Sequence, residues 1–148
     1  MYKRQAQEHY RVSQRIREEL AEKHPENTDI VRDAAIAQEK LANVLMASGE
    51  RAAALECQQK SLEIFERLAE TDPRNVLARR SLAISYLHLA DLLGSPAEQN
   101  LGRTAEAIAH YQRVIDLLSR ADSSDAKAQS TLTAARDRLR RLQTPSAP

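Results

Sequence analysis

The chain is 148 residues long, the size of one ordinary domain, and its 22 basic and 21 acidic residues leave a net charge of +1, so it offers no one-signed field to attract nucleic acid or an anionic membrane. Only 3% of residues are aromatic against 42% hydrophobic, glycine is rare, and Ala, Leu, Glu, Arg and Gln dominate; these residues cost least in a helix, so an all-α fold is expected. The single cysteine, Cys57, excludes an internal disulfide, no apolar run reaches the roughly 18 residues of a membrane span, and the first residues lack a secretory layout.

The pattern predicts six helices, at 3–23, 28–47, 51–70, 75–93, 103–121 and 126–142, alternating as antiparallel hairpins. The first, "QEHYRVSQRIREELAEKHPEN", starts without a cap residue and already carries a hydrophobic stripe. Pro25 stops it, because proline lacks the amide donor and restricts the residue before it. Gly49 ends the second helix in the place that a C-terminal cap gives to glycine. Pro73 stops the third, and the fourth runs into "GSPAEQNLG" at 94–102, whose Gly, Ser, Pro and Asn predict a loop, read as a surface insertion. Gly102 stands before the fifth helix as Gly49 stands before the third. Each glycine is five residues ahead of an alanine, Ala54 or Ala107, small enough for close helix approach. The sixth helix, "AKAQSTLTAARDRLRRLQ", carries Lys127, Arg136, Arg138, Arg140 and Arg141. Arg136 and Arg140 are one turn apart and share a face, a candidate patch for an acidic partner or nucleic acid. A last helix in an array also needs a polar outer face, and capping is the preferred reading. "TPSAP" at 144–148 reads as a disordered tail.

Shifting the chain by 48 lays residues 10–45 on 58–93 without a gap. Ser13/Ser61, Ile16/Ile64, Leu20/Leu68, Pro25/Pro73, Asn27/Asn75, Arg32/Arg80, Ala35/Ala83, Leu41/Leu89, Ala42/Ala90 and Leu45/Leu93 all coincide. "HPEN" on "DPRN" is the informative match, since Pro and Asn punctuate at the same phase.

The segments "LANVLMASGERAAALECQQKSLEIF" and "LADLLGSPAEQNLGRTAEAIAHYQRVI" resemble tetratricopeptide repeats. The family's recurring places are taken by Leu41-Ala42, Leu45, Gly49 and Ala54, and then by Tyr86, Leu89-Ala90, Leu93, Gly102, Ala107 and Tyr111. The usual period is about 34; the excess here divides into about seven residues per helix, close to two turns, which lengthens each helix without rotating its buried face. The phrase "ARRSLAISYLHLADLL" resembles more narrowly the elongated arrays behind the catalytic domain of some bacterial serine/threonine protein kinases. The resemblance implies a right-handed α-solenoid of antiparallel hairpins and a peptide-binding groove. Its walls would include Ile36, Glu39, Asn43 and Met46 on one helix and Ile84, Leu87 and Asp91 on another, with Leu87 an apolar anchor if exposed. Glu39 and His88 replace the Lys and Asn with which some members clamp an acidic C-terminal tail, so that ligand is not expected.

On this reading residues 6–143 form the array: 6–23 as the second helix of a truncated repeat, repeats 28–70 and 75–121, and the capping helix 126–142. Residues 1–5 are expected to be a non-native scar, because Tyr-Lys-Arg-Gln after a start residue matches the reading of a sequencing-library adapter. The first helix would then lack a partner, with Ala6, Tyr10 and Val12 on a bare flank while Ile16 and Leu20 pack on the next pair.

No Gly-rich phosphate loop, catalytic-loop Asp or Asp-Phe-Gly occurs, and His9, His24, His88 and His110 form no ligand-spaced pair. Cys57 has no sequence partner for nucleophilic work, and Ser95, Ser123 and Ser124 fall at loop-like positions. A non-enzyme without cofactor or metal is expected: a cytoplasmic protein-interaction scaffold, the C-terminal part of a larger signalling protein, binding a protein or peptide and neither nucleic acid nor the membrane interior. Extracytoplasmic placement follows if a membrane span precedes the array. The alternatives are a self-association module acting through the uncovered first helix, and the regulatory tail of a bacterial kinase.

Overall fold

In the computed structural model, which describes residues 2–95 and 100–144, the chain forms six α-helices. They are α1 (Tyr2–Lys23), α2 (Thr28–Ala47), α3 (Arg51–Thr71), α4 (Val76–Gly94), α5 (Thr104–Leu118) and α6 (Ala126–Gln143), with no strand among the described residues. The helices fall into two compact units, residues 1–72 with α1 to α3 and residues 73–148 with α4 to α6. In each unit consecutive helices pack on one another.

The punctuation acts through identifiable backbone bonds. Asn27 caps α2, its Oδ1 accepting from the amides of Asp29 and Ile30 at 3.1 and 3.2 Å. Asn75 caps α4 through the Ala78 amide at 3.0 Å, and Asp125 caps α6 through the Ala128 amide at 3.0 Å. Each satisfies one of the amides that a helix start leaves without an intrahelical partner. Gly49, at φ +82°, closes α2: its amide donates to the Met46 carbonyl at 3.0 Å and that of Glu50 to the Leu45 carbonyl at 2.8 Å. This pair of bonds defines a Schellman cap, and its left-handed residue favours glycine.

The same closure recurs around the insertion. Gly102 has φ +69°, and the Arg103 amide donates to the Leu93 carbonyl at 2.8 Å, as Glu50 does to Leu45. The register between the two hairpins is 48 before this point and 53 after it, so five residues have been added without disturbing the helix ends. Asn100 shapes the described part of the loop, donating to the Ser95 carbonyl at 2.9 Å and accepting from the Gly102 amide at 2.7 Å. Residues 96–99 of the predicted loop, 145–148 of the predicted tail and Met1 of the predicted scar lie outside the described residues. Thr144 remains hydrogen-bonded to α6 through the Arg140 carbonyl.

Small residues allow the close approach that the sequence suggested. Ala54 and Ala107 are fully buried. A glycine that the pattern did not single out adds to this: a Cβ on Gly94 would lie 2.9 Å from the Cα of Thr104 and 3.1 Å from the Cβ of Ala107. Helix α5 ends at Leu118 rather than at 121: the Ser119 amide closes it on the Ile115 carbonyl at 2.8 Å, and Asp122 further on accepts from both the amide and hydroxyl of Ser124 at 2.8 Å.

Candidate protein-interaction surfaces

The predicted groove residues divide by burial. Glu39 and Leu87 are each only 8% exposed and belong to the core, which corrects their assignment to a ligand-facing wall. Glu39 accepts from the Gln58 amide of α3 at 3.3 Å, drawn inward by a polar partner. Leu87 holds the matching place on α4, where apolar burial favours the interior. Asn43 is exposed, and Ile36, Met46 and Ile84 are half-buried.

Asp91 is already engaged within its unit. It accepts from the Tyr111 hydroxyl at 2.5 Å and the Arg138 guanidinium at 2.8 Å, so α6 supplies its basic partner. Burial pushes the Asp91 carboxyl above its ordinary value, against the opposing influence of the Tyr111 hydroxyl, Arg138 and His88. The Tyr111 hydroxyl is likewise pushed up, first by burial and then by its bond to Asp91. Close by, His110 stacks on Tyr86 with ring centres 5.6 Å apart, and the Arg113 guanidinium lies 5.8 Å from the same ring. A second tie holds α6: Arg80 of α4 makes a two-pronged contact with Asp125 at 3.0 and 3.1 Å. The Asp125 carboxyl is held below its ordinary range by the Ala128 amide and by Arg80. Arg136 and Arg140 are both exposed on α6, as a capping face or a basic patch requires.

In the first unit α1 departs from expectation. It buries no residue, and Ile16 and Leu20, expected to pack on the next pair, are 57% and 44% exposed. At 100° per residue they lie roughly half a turn from Glu18, whose carboxylate accepts from the buried Gln38 amide of α2. Polar contacts orient this helix: Gln7 and Arg11 both reach Glu50, Arg11 at 3.0 Å, and Arg17 approaches Asp33 at 3.8 Å.

Gln7 and Arg11 thus tie the first half of α1 to Glu50, the residue before α3. A cleft of about 540 Å³ is lined by residues of α1, α2 and α3. Val31 and Ala34 of α2 line it together with the apolar Ala21, Ile64 and Leu68 and the charged Glu18, Glu22, Lys60, Glu63 and Arg67. A smaller cleft of about 280 Å³ lies between α1 and α2, lined by Tyr10, Ser13, Arg17, Asp33, Ile36, Ala37 and Lys40. Ile36, expected on a groove wall, lines this smaller cleft. The larger one is not anticipated by the repeat pattern, although its Ile64 and Leu68 are the repeat partners of Ile16 and Leu20 on α1.

Cys57 is half-buried, and burial pushes its thiol up, away from the reactive thiolate. Among the described residues no cluster of His, Cys, Asp or Glu is arranged to hold a metal ion, and no helix is long and apolar enough to cross a membrane. No protein-family model, curated protein or solved structure matches the chain.

Proposed function

We propose that this chain is a non-catalytic protein-interaction scaffold of tetratricopeptide-like helices, and that the first unit takes the ligand in the cleft between α1 and α3. The observation that carries the reading is the cleft itself: about 540 Å³, lined by apolar residues and by charges of both signs. Its size falls within the range of ligand-binding pockets. Such a lining suits a protein segment that inserts one or two apolar side chains and pairs its flanking charges with Glu63 and Arg67.

A photo-crosslinking residue at position 68 provides the test. In the native cell it should give discrete protein adducts that disappear when Ile64→Lys is added. The same residue at the exposed position 127 supplies the background. Adducts at 68 no different from those at 127, or unchanged by Ile64→Lys, would sink the cleft assignment.

A further inference from the structure

The charge of the first unit is unevenly placed, and its negative part gathers around the larger cleft. The residues that line this cleft come from two stretches, 18–34 and 60–71. Together these stretches carry nine acidic and four basic residues, whereas the rest of the unit, with five and seven, leans the other way. A negative surround thus exists at the cleft although the whole chain is close to neutral.

Two of the four cations are already paired, Arg32 with Asp29 at 3.1 Å and Lys60 with Glu56 at 2.8 Å. Among the lining acids, Glu18 accepts from the Gln38 amide. Glu22 of α1 and Glu63 of α3 are exposed and make no ion pair among the described residues. Beside them Ala21, Val31, Ile64 and Leu68 are only half-buried, so the cleft offers apolar surface next to two carboxylates that lack a cation. Across an interface, opposite charges steer and orient a partner while like charges reject it.

We infer that the segment taken by this cleft is basic: one or two large aliphatic side chains rest against Ile64 and Leu68, with lysine or arginine to either side reaching Glu22 and Glu63. Arg67, one turn beyond Glu63, is left for a main-chain carbonyl of that segment. The inference rests on the scaffold reading and adds the chemical class of the ligand. The chain's own basic helix, α6, is spent within its unit, where Leu132 and Leu139 are buried and Arg138 is held by Asp91. The occupant is therefore a segment of another protein rather than of a second copy.

Two capped probe peptides provide the test, alike in a pair of leucines separated by three residues and differing only in lysine or glutamate at the charged positions. In fluorescence anisotropy with the full chain, the lysine probe should bind saturably and the glutamate probe should not. Glu22→Gln together with Glu63→Gln should weaken the lysine probe about fivefold, the scale of two exposed ion pairs. Glu8→Gln, in the first half of α1, should leave it unchanged. Ile64→Lys should abolish binding while circular dichroism of the chain stays the same. Equal binding of the two probes, or lysine-probe binding indifferent to the changes at Glu22 and Glu63, overturns the inference. So does sedimentation showing a dimer that those changes dissociate, because the occupant would then be a second copy. The two readings fail separately. Adducts at position 68 together with a preference for the glutamate probe overturn the ligand class alone, and absent adducts with the lysine probe still bound overturn the scaffold reading alone.

Discussion

The hairpins α2–α3 and α4–α5 are built on one frame and filled differently. Ala35/Ala83, Leu41/Leu89, Ala42/Ala90, Leu45/Leu93 and Ala54/Ala107 are buried in both. Four other places diverge: Gln38, Glu39, Gln58 and Ser61 in the first unit become Tyr86, Leu87, Tyr111 and Val114 in the second, and all eight are buried. The first core therefore depends on polar groups finding one another, and it does so incompletely. The Gln38 Oε1 and the Ser61 hydroxyl have no hydrogen-bond partner among the described residues. An unpaired buried polar atom loses water without recovering the bond, whereas buried apolar area stabilises without needing a partner. Small residues at the helix crossings and caps at the ends thus suffice to specify a hairpin, while the filling between them sets its stability.

The comparison is broken most directly at the aromatic position. Tyr111→Ala should destabilise the second unit by about 4 kcal/mol, since it leaves a large cavity and strips Asp91 of a donor. Gln58→Ala at the matching place should cost about 2 kcal/mol, the scale of one hydrogen bond to a buried carboxylate, here Glu39. Urea denaturation with residue-resolved hydrogen exchange separates the two; equal losses would show that the cores do not differ as described.

A smaller effect of opposite sign in the two units sharpens the point. Ser61→Ala should stabilise the first unit by about 1 kcal/mol by removing an unpaired hydroxyl. Val114→Ser should destabilise the second by about 2 kcal/mol by creating one. Destabilisation by Ser61→Ala would mean that the hydroxyl is satisfied after all.

The smallest effect concerns acid. The Asp91 carboxyl titrates higher in the folded protein than in the unfolded chain, so the folded state holds the extra proton. Its contribution to stability is full below the ordinary value of 3.8 and is lost as pH rises through the folded value. Asp91→Asn should flatten that part of the stability–pH curve for the second unit and leave the first unit's curve unchanged. A curve with the same slope in the variant would exclude Asp91 as its source.

How much was legible depended on which interactions are local. Helix ends are governed by residues within a few positions, and Asn27, Asn75, Gly49, Pro25 and Pro73 punctuate where the pattern placed them. Small residues at crossings were equally readable at Ala54 and Ala107, but Gly94 was missed, because its need is set by Thr104 across a loop. Groove residues were the least legible. Position along α2 and α4 nominated Glu39, Leu87 and Asp91, yet Gln58 draws Glu39 inward, and Arg138 and Tyr111 occupy Asp91. Each of those partners lies on another helix, beyond the reach of spacing along one.

By itself the sequence determined six helices, their boundaries to within about three residues and the frame of small and leucine residues that pairs them. These follow from intrinsic helix propensity, caps and periodicity, which act within a turn or two. Only the tertiary structure decided that α1 meets α2 through Glu18 and leaves Ile16 and Leu20 outside. It also decided where the cleft opens between α1 and α3. The rotation of a helix about its axis is fixed by which contacts across helices are satisfied together, and a stripe with both a polar and an apolar face fits either way until the neighbouring helix chooses.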